Sequence, residues 1–586
     1  MRPEERKRLR IIAALILFLG GLFIVRLYYL QIIHGADFKK EADKQYMATV
    51  PNLYNRGNIY FQGKDGKLIA GATLNSGYMI AIKPKDVLDA EKTYATLAPF
   101  ITLTHDEFIA KASKKDDPYE EIAHRIPDDA EAKLKKENLP GVHFFHETWR
   151  YYPGNSLAAQ VLGFVGFKGS ELVGRYGIES YYNEVLSRAD EHLYINFFAE
   201  LFSNLSDAIF DSNKAKEGDV VLTIEPTVQS YLETELQGVM DEWSSDEAGG
   251  VIMDPKTGAI YAMAVNPSFN LNQYGKVKDP HLFGNQMVEG VYEMGSIVKP
   301  ITMASGIDAG LLNANTTYND TGHITLNNKT FGNHDGKGRG PGTTMQKVLN
   351  DSLNTGVAFV VSKLGNQRFA DYMLHKFHMG EETGIDLPGE LGGLMNNLTS
   401  KRDIEYATAS FGQGIAVTPI NMASALATLG NGGYTVSPHV VDQILYTNGT
   451  IKKITPNSPE QVLNPKTSED ITRMLVTVVD KALLGGTVKI PEYSVAAKTG
   501  TAQVSNPNGG GYYDDRYFHT FFGYFPAYEP RFIVFMYTSY PKNGATFASH
   551  TLTSPFIRIT KFLLHYYGVP PDRVGGAQGT TATLLR

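Results

Sequence analysis

At residues 293–300 the chain reads Glu-Met-Gly-Ser-Ile-Val-Lys-Pro, which predicts a turn that delivers a serine and a lysine onto the first turn of a helix. Gly295 permits a tight entry, and Pro300 is tolerated in a first helical turn because its missing N–H leaves no hydrogen bond unmade. Residues three apart share one helix face, so Lys299 would lie beside the Ser296 hydroxyl. The stretch therefore predicts Ser296 as a nucleophile and Lys299 as the base that takes its proton.

A second serine also stands three residues before a lysine, in Ser539-Tyr540-Pro541-Lys542. It ends the apolar run 531–540, which predicts a strand, and its proline opens a predicted turn at 541–544. No helical face is expected there. Only the first of the two pairs therefore has the geometry that proton transfer needs.

The composition excludes several classes of protein. The 586 residues are enough for three or four domains, and a hydrophobic content of 42% suffices for large cores. Because 55 basic and 62 acidic side chains give a net charge of −7, no overall basic bias indicates a nucleic-acid partner. The chain has no cysteine, which excludes disulfides, thiolate nucleophiles and thiolate metal sites.

The N-terminus predicts a membrane anchor. Residues 1–10 form a basic tail, and residues 11–33 are apolar apart from Arg26, which can reach the interface by snorkelling. A helix over 11–33 would be about 34 Å long, which is enough for a hydrocarbon core of about 30 Å. Because basic residues favour the cytoplasm, we expect a single-pass protein with a cytoplasmic N-terminus and an extracytoplasmic remainder. The alternative is a cleaved signal peptide.

The sequence pattern divides the remainder into three parts. Residues 34–215 show an irregular mixture of helix and strand patterns, residues 216–568 show more regular ones, and residues 569–586 are expected to form a mobile tail. From 218 onward the pattern predicts a strand, a helix over 227–243 and a hairpin over 250–263, which indicates an α+β domain. The segment 188–217 is interpreted as a packed helix, with a partner surface as the alternative.

Two further stretches carry chemistry-bearing residues. The apolar spacing over 343–364 predicts a helix that contains Ser352-Leu353-Asn354. The glycine-rich stretch 332–342 lacks the features of a nucleotide-binding loop, and we interpret it as a plain surface loop.

Three motifs now stand in one order: Ser296-x-x-Lys299, Ser352-x-Asn354 and Lys498-Thr499-Gly500. Together they resemble the signatures of penicillin-binding acyl-transfer enzymes. The resemblance extends to Arg56-Gly57-Asn58-Ile59 and to the run 411–419, and it fits the monofunctional class B type, since no glycosyltransferase domain is recognised. It implies an α+β fold: a transpeptidase domain with an antiparallel sheet flanked by helices and an all-helical part, on an elongated α+β pedestal or dimerisation-like domain with one N-terminal transmembrane helix.

The resemblance also implies the site. Ser296 would attack the carbonyl of a D-Ala-D-Ala stem peptide, with Lys299 as base, and the Lys498 charge would depress the pKa of Lys299. Ser352 could relay a proton to the leaving amine, and Asn354 would orient Lys299 and the substrate amide. The terminal carboxylate of the substrate would be bound by Lys498, Thr499 and Thr501, and Gly500 would belong to the strand edge along which the substrate lies. The backbone amides of Ser296 and Thr501 would form the oxyanion hole, and Gly500 would allow close approach of the substrate. Met294 departs from the proline that the family often has.

The implied partners are peptidoglycan stem peptides, β-lactams, and a polytopic glycosyltransferase of the shape, elongation, division and sporulation family with other division proteins of the bacterial cytoplasmic membrane. No cofactor or metal is implied. The run 411–419 favours the septal, cell-division type over the elongation type. Two rival functions remain: a D,D-carboxypeptidase or β-lactamase on the same fold, and a non-catalytic division scaffold.

Overall fold

The structure is a computed structural model that describes residues 52–53, 55–169, 171–188, 216–506 and 509–573, together with Gly21. Within these residues, no helix is both long enough and apolar enough to cross a membrane.

Several predicted segments lie outside the described residues. They are the cytoplasmic tail 1–10, the anchor 11–33 apart from Gly21, residues 189–215 of the segment 188–217, and residues 574–586 of the C-terminal tail.

The smaller of two compact units includes Leu74–Arg150 and the short strand Asn52–Leu53. Its other strands are the later part of Leu68–Ile82, then Glu120–Ile126 and Val142–Tyr151, and its helices are Pro84–Asp86, Ala90–Leu97, Ala98–Phe100, His105–Ala112 and Asp128–Lys136. The helix starts are encoded locally, since Thr104 and Glu107 form a reciprocal capping box. A separate apolar core, which includes Ile80 and Phe108, joins these helices to the strands.

The larger unit comprises Arg56–Thr73 and the chain from Tyr151 onward. Its centre is an antiparallel sheet that has five strands among the described residues. In spatial order these strands are Ile260–Asn266, Glu247–Met253, Phe532–Ser539, Tyr512–Phe525 and Ala496–Ser505. This central sheet carries the third motif on its edge strand, Ala496–Ser505.

The central sheet is covered on both faces. Phe521 belongs to a core formed with helices Pro226–Trp243 and Thr553–Tyr566, whereas its neighbour Phe522 belongs to the main core on the opposite face. Successive strand side chains point to opposite faces, so a strand covered on both sides must be apolar throughout. This explains why residues 532–537 of the strand Phe532–Ser539 are apolar without interruption.

A second group of strands in the larger unit comprises Ile59–Gln62, the start of Leu68–Ile82, Gly218–Leu222, Val441–Tyr446 and Ile451–Lys453. Three small two-stranded ribbons pair Val165–Lys168 with Glu171–Gly174, Thr317–Asp320 with Gly340–Thr344, and His323–Leu326 with Lys329–Gly332. The last two ribbons lie in the chain between the first and second motifs.

The remaining regular elements among the described residues are helical. The α-helices not yet given are Ala159–Leu162, Gly177–Tyr181, Asn183–Leu186, Gln286–Glu289, Lys299–Asp308, Met345–Asn350, Asn354–Leu364, Asn366–Asp371, Asp403–Ala409, Pro419–Ala427, Pro465–Thr477 and Ala548–Thr551. The tighter or wider turns are Leu271–Lys276, Pro280–Phe283, Gly295–Val298, Tyr372–Lys376, Asn396–Thr399, Val478–Ala482 and Leu483–Gly486. The predicted α+β class is confirmed.

One predicted helix is two separate helices in the structure. Residues 343–364 do not form a single helix, because Met345–Asn350 and Asn354–Leu364 are separated at Ser352. Ser352 has a φ of 54°, a left-handed conformation that no α-helix can continue through. The apolar spacing runs through the break because both helices bury apolar side chains in the same core.

Candidate active site

The first motif begins in a tight turn, not in an α-helix. Residues Gly295–Val298 form a 3₁₀ turn in which the Lys299 N–H donates to the Ser296 carbonyl, and the α-helix Lys299–Asp308 follows directly. Side chains three apart are eclipsed in a 3₁₀ turn. The 3₁₀ turn therefore aligns Ser296 and Lys299 on one face, as expected, and does so more closely than an α-helix would.

Two glycines let this turn lie against the edge strand Ala496–Ser505. Gly295 has a φ of 63°, and a Cβ added there would lie 2.8 Å from the Thr501 carbonyl oxygen. A Cβ added at Gly500 would lie 2.7 Å from the Met294 carbonyl oxygen. Gly500 is thus needed for packing against the turn, whereas the sequence analysis attributed it to approach of the substrate.

The two segments that carry the predicted oxyanion-hole amides are in contact. Because Gly295 abuts Thr501, the amides of Ser296 and Thr501 belong to touching segments. The Thr520 hydroxyl donates to the Met294 carbonyl at 2.9 Å, which fixes the entry to the turn from the neighbouring strand. Methionine at 294 is buried and leaves this contact intact.

The second motif meets Lys299 at the helix break. The Lys299 side-chain nitrogen donates to the Ser352 carbonyl oxygen and lies 3.2 Å from the Ser352 hydroxyl oxygen. The left-handed Ser352 backbone presents this carbonyl at the break, ahead of the helix that begins at Asn354. The Asn354 amide donates to the Gly332 carbonyl at 2.7 Å, a partner that the sequence did not indicate.

The electrostatics favour a neutral Lys299. Its side chain is 1% exposed, and burial, followed by the nearby charge of Lys498, holds its pKa well below the ordinary value. Burial also lowers the pKa of Lys498 to about 7. The Lys498 ammonium donates to the Thr499 carbonyl at 3.0 Å. A lysine whose pKa is depressed by burial and a nearby cation, as that of Lys299 is, can act as a general base.

These side chains converge on a cleft of about 840 Å³. The predicted site residues that line the cleft are Ser296, Ser352, Asn354, Lys498, Thr499 and Thr501. Lys299 is buried behind them, and Gly500 faces the nucleophile turn instead of the cleft lining.

Other residues of the cleft were missed by sequence reasoning. His334 and Arg339 come from the glycine-rich stretch 332–342, which contains an exposed surface loop as expected but also lines the cleft. The His334 ring meets Phe547 edge-on, with 5.8 Å between the ring centroids. Burial lowers the pKa of His334; the Asp335 carboxylate opposes this effect, and the Arg339 guanidinium adds to it. No local pattern marks His334 or Phe547, because both lie in loops that only the tertiary fold brings to the cleft.

The family comparison agrees with this geometry. Residues 248–558, more than half of the chain, match the family model of the penicillin-binding protein transpeptidase domain. The chain belongs to the penicillin-binding protein transpeptidase family. Residues 52–196 match the penicillin-binding protein dimerisation domain, and this pair of domains confirms the class B resemblance drawn from the sequence.

Relatives resemble the chain over nearly its whole length. It is 29% identical to stage V sporulation protein D of Bacillus subtilis, across 97% of this chain and 87% of the relative. It is 26% identical to peptidoglycan D,D-transpeptidase FtsI of Escherichia coli, across 96% of this chain and 92% of that protein. The crystal structure of penicillin-binding protein 3 from Mycobacterium tuberculosis, in its apo form, is 28% identical, with a TM-score of 0.64, and covers 74% of this chain and 94% of its own.

Proposed function

We propose that the chain cross-links peptidoglycan stem peptides through an acyl-enzyme on Ser296 and that β-lactams acylate the same hydroxyl. The serine D,D-transpeptidase class rests on the family model and on relatives that carry this name. The observation that carries the assignment of residues is the buried Lys299, whose side-chain nitrogen reaches Ser352 and whose helix begins three residues after Ser296.

In the proposed acylation, Lys299 takes the proton of the Ser296 hydroxyl, and the Ser296 oxygen attacks the carbonyl carbon of the penultimate D-Ala. The amides of Ser296 and Thr501 stabilise the negative oxygen of the tetrahedral intermediate, where each donor contributes on the order of 3 kcal/mol. As the C–N bond breaks, the leaving amine takes a proton through Ser352, which Lys299 replenishes. This relay is supported by the 3.2 Å separation of the Lys299 nitrogen and the Ser352 hydroxyl oxygen.

In the second half-reaction, the amine of a neighbouring stem peptide attacks the ester carbon and gives up a proton, and the Ser296 hydroxyl is restored. Lys498 would pair with the terminal carboxylate of the donor peptide, and the Thr499 and Thr501 hydroxyls would complete that site. Asn354 would orient the peptide amide of the substrate from the helix start. No step in this scheme needs a metal or a cofactor.

The test is covalent labelling of the purified full chain with a fluorescent penicillin. We expect the wild type to be trapped as a stable adduct and Ser296→Ala to give none. Ser539→Ala is the matched control, since Ser539 has the same spacing to a lysine but ends a strand. Labelling that persists in Ser296→Ala would contradict the assignment. Rapid turnover of penicillin, without a trapped adduct, would favour a β-lactamase or carboxypeptidase.

We further propose that the chain acts in septal wall synthesis as a single-pass membrane protein anchored by 11–33, together with a polytopic glycosyltransferase. The domain division at 34–215 and 216–568 belongs to the same proposal. Support comes from the run 411–419 and from the basic-then-apolar N-terminus. A fluorescent fusion should collect at midcell, whereas a side-wall distribution would favour the elongation type. A Ser296→Ala chain that sustains growth as the sole copy would favour the scaffold.

A further inference from the structure

A buried polar cluster lies behind the second motif, and the proposed mechanism does not use it. Its centre is Asp320, which is 2% exposed at the end of the strand Thr317–Asp320. Thr355 and Asn333 complete the cluster and are 1% and 5% exposed. A buried carboxylate is costly unless donors satisfy it, so its surroundings show what it holds in place.

Neutral donors surround the Asp320 carboxylate. One oxygen accepts from the Thr355 hydroxyl at 2.7 Å and from the Gly322 amide at 3.0 Å, and the other accepts from the Arg339 backbone amide at 2.9 Å. The Asn333 side-chain amide lies 3.1 Å from both oxygens. Burial raises the pKa of Asp320, but these hydrogen bonds outweigh it and hold the pKa below its usual value. The carboxylate is therefore charged at neutral pH.

In the part of the chain that the structure describes, no lysine or arginine side chain forms an ion pair with Asp320. The Arg339 guanidinium instead pairs with Asp335 and Asp351. The Asp320 carboxylate thus accepts hydrogen bonds from three separate segments: the ribbon at Gly322, the loop at Asn333 and Arg339, and the helix at Thr355.

These segments meet at the catalytic motif. Thr355 is the residue after Asn354, and its backbone amide donates to the Asn333 side chain at 3.2 Å. The Asn354 side chain donates to the carbonyl of Gly332, the residue before Asn333. Two successive residues at the helix start are therefore hydrogen-bonded to Gly332 and Asn333. Asp320 binds both sides of this contact, because it accepts from Thr355 and from Asn333.

We propose that Asp320 is a positioning residue that, through Thr355, fixes the start of the helix Asn354–Leu364 and thereby the Ser352 carbonyl that holds Lys299. The proposal rests on the proposed acylation of Ser296. Asp320 touches neither the cleft nor Lys299, so it acts through the backbone and not through its charge on the base. If the cluster is broken, Ser352 and Asn354 lose their fixed position relative to Lys299.

The expected result is a slower chemical step with unchanged binding. Misplacement of a reacting group by about 1 Å can cost on the order of 10²-fold in rate. We expect Asp320→Asn to lower the acylation rate constant at saturating β-lactam by about 10- to 100-fold, because the new amide hydrogens face existing donors. The dissociation constant of the non-covalent complex, which depends on the cleft lining, should change less than about threefold.

The control variant is Asp308→Asn. Asp308 is a partly buried carboxylate that accepts from the Asn464 backbone amide and from the Thr467 and Tyr372 hydroxyls, and it pairs with Lys376 at 3.5 Å. It lies at the far end of the helix that begins at Lys299. It should lower the melting temperature without slowing acylation. Thr355→Val removes the hydroxyl that links Asp320 to the helix, and Thr355→Ser keeps it.

The experiment measures the acylation rate constant, the dissociation constant and the melting temperature of the full chain with one chromogenic β-lactam. Slow acylation in Asp320→Asn and Thr355→Val, with restoration in Thr355→Ser, supports the proposal. Unchanged acylation in Thr355→Val overturns it, even if Asp320→Asn does not fold. Equal slowing in Asp308→Asn also overturns it, because general destabilisation would then suffice. Failure of the wild type to form an adduct would instead contradict the proposed function.

Discussion

Replacing Lys498 by arginine should remove one limb of the pH profile for acylation. Burial gives Lys498 a pKa of about 7 in the free protein, so its ammonium charge is lost as the pH rises through neutrality. The proposed role of Lys498 is to pair with the carboxylate of the ligand, which requires the charged form. The second-order rate constant for acylation therefore falls on the alkaline side. Arginine keeps its charge throughout, because its pKa lies above about 12.

The size of the effect follows from the pKa. Half of the Lys498 side chains are charged at a pH equal to the pKa of about 7, and two pH units higher the charged fraction is about one in a hundred. The rate constant of the wild type should thus fall about 50-fold between those two pH values. The acid limb has the opposite sign, because Lys299 must be neutral, and the rate falls as the pH drops through its depressed pKa.

The assay is stopped-flow acylation by a chromogenic β-lactam at subsaturating concentration, from about one pH unit below to two units above the Lys498 pKa. The shape of the profile is the readout, since Lys498→Arg also changes the hydrogen-bond geometry and lowers the absolute rate. We expect the variant to retain the acid limb and lose the alkaline one. A flat alkaline profile in the wild type, or an unchanged alkaline limb in Lys498→Arg, would refute the reasoning.

Three other changes test the structure elsewhere in the larger unit. Gly500→Ala places a methyl group 2.7 Å from the Met294 carbonyl oxygen, so the nucleophile turn must shift and penicillin labelling should slow on the order of 10²-fold; an unaltered labelling rate would count against this packing. Arg56→Met removes the guanidinium from the fully buried Glu179 carboxylate and should cost about 3–5 kcal/mol, measured as a lower denaturation midpoint; a loss under about 1 kcal/mol would disagree. Glu293→Ala removes the acceptor of the Gly414 amide and of the Tyr512 hydroxyl and should cost about 1–3 kcal/mol by the same measurement, whereas an unchanged midpoint would speak against it.

Elements with a strong local pattern could be predicted from the sequence. The apolar run 531–540 became the strand Phe532–Ser539, and the predicted helix 227–243 became Pro226–Trp243. The strand is recognisable because both of its faces are buried, and the helix because one face packs on the sheet while a proline marks its start. In both cases the sequence pattern and the tertiary environment agree.

The break at Ser352 could not be predicted in this way. A non-glycine residue in the left-handed region costs about 1–2 kcal/mol and carries no sequence signal of its own. The spacing of apolar residues on either side fits one helix, because both short helices face one core. His334 was missed for a related reason, since its loop reaches the cleft through hydrogen bonds between Asn333 and Asp320, residues that lie 13 positions apart.

The break at Ser352 and the turn at Gly295–Val298 both place a polar group beside the Lys299 side chain. A regular α-helix saturates its carbonyls internally, so it has no carbonyl to offer a buried ammonium nitrogen. The left-handed Ser352 ends one helix before the next begins, and its carbonyl becomes available to Lys299. The 3₁₀ turn at Gly295–Val298 likewise brings Ser296 into line with Lys299 at the cost of regular helix. In both places the chain gives up regular helical geometry where Lys299 needs a partner, which is why the left-handed backbone conformations of Ser352 and Gly295 coincide with the proposed chemistry.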